Sequence, residues 1–416
     1  MYSLAIYIYM LCANIVSLFN RKARQLMVGH SKTYATLRRH IGKQDRVIWF
    51  HAASLGEFEQ GRPLIERIRN AEHCSASKSG KLKILLTFFS PSGYEVRKDY
   101  KGADVVCYLP FDTKLNSRKF IKIAHPEMAF FIKYEFWQNY LTELHRRGVP
   151  TYSVASIFRP DQIFFRWYGR DYRKVLRTFT HLFVQNEESV RLLQTLGINN
   201  TTIVGDTRMD RVLQIRDEAK ELPLCEAFCQ PKDNIAATLV VGSSWQPDED
   251  IIIDYFNRHP EQRLILAPHV VSESHLAEIE GKLQRPAVRY TQATLDNVRA
   301  ADCLIIDCYG LLSSIYRYAT VAYVGGGFGV GIHNVPEAAV YGLPVIIGPN
   351  NRRFREARDL IAKGGCFEIN NAEEYIDIIG KLTDDADFRN RAADISAGYI
   401  RDNAGAVDTI YRHIFS

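Results

Sequence analysis

Residues 47–59 read Val-Ile-Trp-Phe-His-Ala-Ala-Ser-Leu-Gly-Glu-Phe-Glu, an apolar run that stops at Ser54-Leu55-Gly56 and delivers a carboxylate, Glu57, to the first turn of a following helix. A short continuous apolar run bounded by turn residues is the pattern of a strand buried on both faces, as in a parallel sheet covered by helices. Ligands of such sheets bind beyond the carboxyl ends of the strands, and Gly56 lets the chain turn so that the next side chain faces the crevice. Glu57 is therefore a candidate catalytic base. The competing reading is a carboxylate that merely complements the helix dipole, worth about 0.3–1 kcal/mol.

Outward from this run, short apolar segments alternate with helical ones. Strands are predicted over 46–54, 82–89, 103–109, 127–134, 150–156, 181–185 and 201–206. After a polar, proline-containing linker (207–236) the pattern restarts at 238–241, 263–267, 287–290, 303–307, 320–324 and 344–347. This alternation predicts an α/β protein of two doubly wound Rossmann-like domains, 46–206 and 237–370, facing a central cleft. Residues 371–416 look helical and could cross back to the first domain. At 416 residues the chain exceeds the size at which one core keeps growing, and 46% hydrophobic with 24% charged residues is ordinary globular composition. No repeat of fixed period points to a solenoid.

Residues 1–20 read as a membrane anchor. The first 19 carry no charge, and as a helix would reach about 28 Å, close to one bilayer core. Asn14 and Ser17 weaken the segment and no small-residue cleavage site follows, so an uncleaved anchor is expected, with a helix lying in the interface as the alternative. The juxtamembrane segment 21–45 and Arg46 carry eight Lys/Arg against the single acid Asp45. That gives +7 of a chain total of +6 and leaves the body near neutral. A basic cluster directly after an apolar helix fits an anionic membrane surface on the cytoplasmic side, and a nucleic-acid function loses its main support. Eight scattered cysteines, Cys74 among them, match neither zinc spacing nor a disulfide framework and read as reduced thiols.

The densest signal is Tyr323-Val-Gly-Gly-Gly-Phe-Gly-Val-Gly-Ile-His-Asn-Val-Pro-Glu-Ala-Ala, ending at Ala339. Five glycines, Gly326 and Gly327 among them, leave a strand. Pro336 then sits where a helix can begin, with Asn334 as its cap. The expected result is a backbone cradle for an anion, with His333 and Asn334 beside it and Glu337 suited to accept hydrogen bonds from ribose hydroxyls. The spacing is neither a dinucleotide fingerprint nor a Walker loop. Ser243 and His269 leave the first two strands of the second domain toward the same crevice and are candidate donor contacts, although Ser243 and Ser244 could instead cap the helix near Pro247.

Taken together, these residues resemble the Kdo (3-deoxy-D-manno-octulosonic acid) transferase family. The resemblance rests on the N-terminal anchor, His51, Ser54, Gly56 and Glu57, Glu135 and Trp137, Gly205 to Asp210, Gly242-Ser243, Pro268-His269, and Gly331 to Ala339. It implies the two-domain GT-B architecture and an inverting, metal-independent transfer of Kdo from CMP-Kdo to the lipid A precursor, lipid IVA. This would take place at the cytoplasmic face of the inner membrane, in lipopolysaccharide biosynthesis. By the same resemblance Glu57 is the general base and Glu135 a second required carboxylate. Ser243, His269, Gly326, Gly327, His333, Asn334 and Glu337 are donor-side residues. CMP-Kdo is a substrate; no cofactor is implied.

The chain departs from the family pattern at Trp245, where a histidine is usual, and at Lys133, where an acid is usual. Arg353-Phe354 and Ala155-Ser156-Ile157 also replace family elements. Residues 158–177 interleave aromatic and basic side chains and suggest Arg166, Arg170 and Arg173 for a lipid phosphate on the acceptor side. Against this stands an ordinary amphipathic helix. The competing functions are another GT-B enzyme, such as a lipid-A disaccharide synthase or a nucleotide-sugar 2-epimerase, and a non-catalytic nucleotide-sugar binder. Oligomeric state and the number of Kdo units transferred are not legible in the sequence.

Overall fold

The opening run forms β1 (Arg46–Ala52), whose side chains alternate between two cores. Val47 and Trp49 join Leu85, Phe120, Phe131 and Tyr140 on one face; Ile48, Phe50 and Ala52 join Phe58, Leu86, Phe130 and Ile410 on the other. The computed structural model describes residues 2–72, 80–230 and 237–416, so Cys74 and part of the expected linker lie outside the described residues.

The chain divides into one unit of Met1–Arg211 with Ala404–Ser416 and a second of Val212–Asn403. The first holds β1, β2 (Leu82–Phe88), β3 (Val105–Tyr108), β4 (Pro126–Ile132), β5 (Thr151–Ser156), β6 (His181–Val184) and β7 (Thr201–Ile203). The second holds β8 (Ala237–Ser244), β9 (Gln262–Pro268), β10 (Ala287–Arg289), β11 (Cys303–Ile305), β12 (Val321–Val324), β13 (Val345–Ile347) and β14 (Cys366–Glu368). Both sheets are parallel, ordered β3-β2-β1-β4-β5-β6-β7 and β10-β11-β9-β8-β12-β13-β14. The two α/β domains expected from the alternation are present, and of the fourteen strands among the described residues β14 is the one that no predicted run covers. In each sheet the strand order reverses beside the first strand, between β1 and β4 and between β8 and β12. Those crevices are where doubly wound sheets take ligands.

The N-terminal helices α1 (Tyr2–Ser17) and α2 (Arg21–His40) belong to the first unit. At 16 residues α1 reaches about 24 Å, short of a bilayer core of about 30 Å, and no helix among the described residues is long and apolar enough to cross a membrane. The spanning length expected of residues 1–20 is therefore not found. The break has a local cause. Asn20 caps α2 by accepting the Ala23 N–H at 3.1 Å, and Arg24 donates to the carbonyls of Ser17 and Leu18, ending α1. One side of α1 lies on the protein, with Ile6, Met10 and Ala13 packed around Leu26, Tyr108 and Phe111. Leu4, Tyr7, Ile8, Leu11 and Ile15 on the remaining surface are exposed.

The basic segment after α1 is likewise folded onto the unit. Leu26, His30, Thr33 and Leu37 of α2 are buried, and Thr33 donates to the Tyr108 carbonyl at 2.8 Å. At the other end of the chain, the helix Ala406–Phe415 rests on α3 (Leu55–Glu72) and sends Val407 and Ile410 into the core. Asp210 accepts the Gly405 N–H at 3.0 Å where that helix starts.

Candidate functional site

At the β1 end of the first unit, Glu57 occupies the first turn of α3 and closes a reciprocal cap with Ser54. Its Oε2 accepts the Ser54 N–H at 3.0 Å, and the Ser54 hydroxyl accepts the Glu57 N–H at 3.5 Å. The carboxylate thus does serve the helix start, through a cap where the sequence suggested a dipole partner, but that role does not exhaust it. Burial, and then the neighbouring charge of Glu135, push Glu57 above the usual carboxylate range, against the opposing pull of His51 and of N–H bonds from Ser54 and Ala53. A half-buried carboxylate with raised proton affinity suits a general base.

Glu135 follows β4, across the switch point, and is itself held in place. Its Oε2 receives His51 Nε2 at 3.1 Å and the Trp137 indole N–H. His51 is fully buried and is fixed at its other nitrogen by the Thr87 hydroxyl at 2.9 Å, which also takes the Trp49 indole N–H at 2.8 Å. Lys133, just beyond β4, sits at φ 60°, a left-handed conformation costly for a side chain with a Cβ. Asp112, absent from the sequence candidates, anchors the next turn. Its carboxylate accepts the N–H groups of Asn139 and Tyr140, both at 3.0 Å, and the Tyr2 hydroxyl at 2.6 Å. Burial raises it to about 6.

At the β8 end of the second unit, Ser243 adopts φ 53° and presses its backbone against the glycine cluster; a Cβ on Gly325 would lie 2.5 Å from the Ser243 carbonyl oxygen. Gly326, at φ 92°, could not carry a Cβ without meeting the Gly331 carbonyl at 2.4 Å, and one on Gly327 would meet Gly348. The expected anion cradle is partly filled by the chain itself. Gly325 N–H goes to the Gly242 carbonyl, and Gly326 N–H goes at 2.9 Å to the carboxylate of Asp248, which also accepts the Trp245 N–H and the Tyr323 hydroxyl.

Further along, Asn334 makes no side-chain cap to the helix Val335–Ala339, contrary to expectation; its Nδ2 donates to Glu337 at 2.7 Å instead. Ser244 does not cap either, since its hydroxyl donates to Glu249 at 2.8 Å. Three rings assemble beside the loop. Trp245 stacks on His269 with centroids 4.8 Å apart, His269 lies 4.5 Å from His333, and the Trp245 indole donates to His333 Nε2 at 3.2 Å.

A family model described as 3-deoxy-D-manno-octulosonic-acid transferase (kdotransferase) matches residues 28–211, which include β1, Glu57 and Glu135. A 3-deoxy-D-manno-octulosonic acid transferase from Aquifex aeolicus is 24% identical over 347 residues, covering 81% of this chain and 85% of the relative. The Bordetella pertussis transferase of the same name is 25% identical over 378 residues, covering 86% and 84%. Over most of its length the chain is similar to Kdo transferases. A UDP-GlcNAc 2-epimerase from Neisseria meningitidis, 13% identical, superposes with a TM-score of 0.59 over 89% of this chain and 99% of that one, a likeness of fold alone.

The structure brings Glu57, Glu135 and His51 together at the first switch point, and Ser243, His269, His333 and the glycine cluster together at the second. The segment 158–177 is divided in its loyalties. Phe158 and Phe164 are buried, while Trp167 is 89% exposed and Tyr168 is also exposed. Arg173 is committed to the backbone, donating to the carbonyls of Phe164 and Arg166 at 2.7 and 2.8 Å; Arg166 donates to the Asp161 carbonyl, and Arg170 is exposed. Sequence reasoning missed Asp112 and Asp248. Each is an acid whose value lies in backbone N–H groups brought to it by folding; only Asp248, three residues after Trp245 at a helix start, carries a local signal.

Proposed function

We propose that the protein is the inverting transferase that moves Kdo from CMP-Kdo to lipid IVA. The observation that carries this reading is Glu57, half-buried just beyond the end of β1, with its proton affinity raised by desolvation and then by Glu135. Glu57 takes the proton of the acceptor hydroxyl as the oxygen forms its bond to the anomeric carbon; the bond from that carbon to the CMP phosphate breaks, and CMP leaves with the electron pair. Base catalysis of this kind contributes about 10²–10⁴-fold. His51 and Trp137 hold Glu135 in place, and Glu135 keeps Glu57 basic. On the donor side, His269, His333 and the ends of β8 and β12 receive the nucleotide. Neither cofactor nor metal is invoked.

The reading places α1 in the plane of the inner membrane's cytoplasmic leaflet, one side on the protein and the other in lipid. Support comes from its uncharged sequence and exposed apolar surface, followed by the basic α2. Arg166 and Arg170, flanking exposed Trp167 and Tyr168, are assigned to headgroup or acceptor phosphates; the assignment is narrowed to these two because Arg173 is needed by its own loop.

The test is to incubate the full-length protein with CMP-Kdo and tetra-acylated lipid A precursor, with and without EDTA, and weigh the product. An EDTA-insensitive mass increase by one or more Kdo units is expected. Turnover only with UDP-sugars from a donor panel would move the function to another enzyme of this fold. CMP-Kdo binding without turnover would make the protein a binder. Flotation with anionic liposomes should fall sharply for Leu11→Glu with Ile15→Glu; unchanged flotation would remove α1 from the membrane.

A further inference from the structure

The indole of Trp245 has one polar hydrogen and no lone pair to offer, so it can only donate. Its partner is Nε2 of His333, 3.2 Å away. That nitrogen must then be the unprotonated one, and the ring's proton resides on Nδ1. Nδ1 of His333 has no hydrogen-bond partner among the described residues, and the ring is half-buried beside Gly326, its Cδ2 lying 3.1 Å from where a Cβ would stand. A second proton on His333 would set N–H against N–H. We infer that Trp245 is a positioning residue that locks His333 as a neutral imidazole carrying its hydrogen on Nδ1, free to donate to an anionic ligand such as a nucleoside monophosphate.

The groups around the ring push the same way, with one exception. Burial and His269, at the end of β9, hold His333 below its ordinary value, while Asp248, in the first turn of the helix Gln246–Arg258, opposes them. Asp248 is largely spent on Trp245 N–H, Gly326 N–H and the Tyr323 hydroxyl. A neutral donor has a functional consequence. It binds phosphate through a directed hydrogen bond without the full attraction of an imidazolium, so the departing nucleotide is not trapped. As an anion receptor the site should therefore gain little from acidification, whereas an unlocked His333 would bind more tightly as it becomes charged. The inference rests on reading this unit as the donor side, but the tautomer itself does not.

The experiment uses full-length protein with ¹⁵N-labelled histidine, the His333 signals being assigned by difference from His333→Gln. In the wild type, without ligand, the expected pattern is a protonated Nδ1 and bare Nε2 that persists as the pH is lowered from 8 to 6. In Trp245→Phe the tautomers should mix and the ring should titrate at higher pH. A wild-type ring protonated on Nε2, or identical His333 titrations in the two proteins, would overturn the inference; the first needs no variant and so survives any folding defect in Trp245→Phe. Calorimetry with CMP supplies the functional arm. Between pH 7 and 6 the affinity of Trp245→Phe relative to wild type should rise by about threefold to tenfold, one decade per pH unit being the limit for a single proton. A loss of affinity equal at both pH values would mean that Trp245 only packs. Absence of CMP binding in the wild type would instead defeat the donor-side reading and leave the tautomer measurement standing.

Discussion

A carboxylate that caps a helix does so best when ionised, whereas one that collects a proton needs that proton held more tightly than in water. Glu57 meets both demands because its cap is made through one edge, with Ser54, while its burial and Glu135 act on the group as a whole. The roles can be separated. Glutamine at the same position of a capping box still accepts the Ser54 N–H, so Glu57→Gln should leave thermal stability within about 1 kcal/mol and lower kcat by about 10²–10⁴-fold. A near wild-type kcat would remove the base assignment. Glu135 is tested through its neighbour. Because its negative charge raises Glu57, Glu135→Gln should lower Glu57 and move the acid limb of the kcat/KM profile to lower pH, beyond any loss in the plateau rate. An acid limb at the wild-type position would mean that the two carboxylates do not communicate.

The N-terminal helices illustrate why elements need tertiary partners. His30 lies in α2 among Phe89, Tyr108 and Phe111, with ring centroids 5.5, 5.5 and 4.5 Å away, and neither of its ring nitrogens finds a partner among the described residues. Burial lowers it to about 4. Its folded value lies below that of the unfolded chain, so the folded form resists protonation. Stability is complete above the ordinary histidine value of about 6.5 and is lost as pH falls toward 4, by on the order of 3 kcal/mol at the lower end. His30→Phe should therefore narrow the difference in Tm between pH 8 and pH 5. A difference as wide as in the wild type would place the acid sensitivity elsewhere. The helix Ala406–Phe415 depends on its setting in the same way, because Asp210 supplies an acceptor for its start and α3 the apolar surface for Val407 and Ile410.

For the whole chain, those C-terminal residues belong to the unit that holds the N-terminus. Deleting 404–416 removes the buried Val407 and Ile410, each worth about 1.5–3 kcal/mol, together with the smaller Ala406, and frees the Asp210 carboxylate. The truncated protein should lose stability in the first unit and leave the second, Val212–Asn403, unchanged. Tryptophan fluorescence separates them: Trp49, Trp137 and Trp167 report on the first and Trp245 on the second. Loss of the Trp245 transition together with the others would show that the two units unfold as one.

What the sequence by itself determined follows from short-range physics. Runs such as 47–52 and 263–267 can only be satisfied by burial on both faces, so alternation with helices leads to two parallel sheets, and the apolar runs stop before Ser54 and Gly325-Gly326-Gly327, just past the strand ends. Tertiary structure alone decided which distant side chains share an environment. His51 and Glu135 are 84 residues apart and bonded; Asp248 answers the N–H of Gly326, 78 residues on, where a ligand anion was expected; Trp245 sets the tautomer of His333. The same holds for α1, whose composition suggests a span but whose length is cut by the Asn20 cap and the Arg24 bonds to its last carbonyls. Periodicity records what a residue must hide; only the folded chain determines which partner it meets there, because hydrogen bonds and charge interactions act over a few ångströms regardless of separation in sequence.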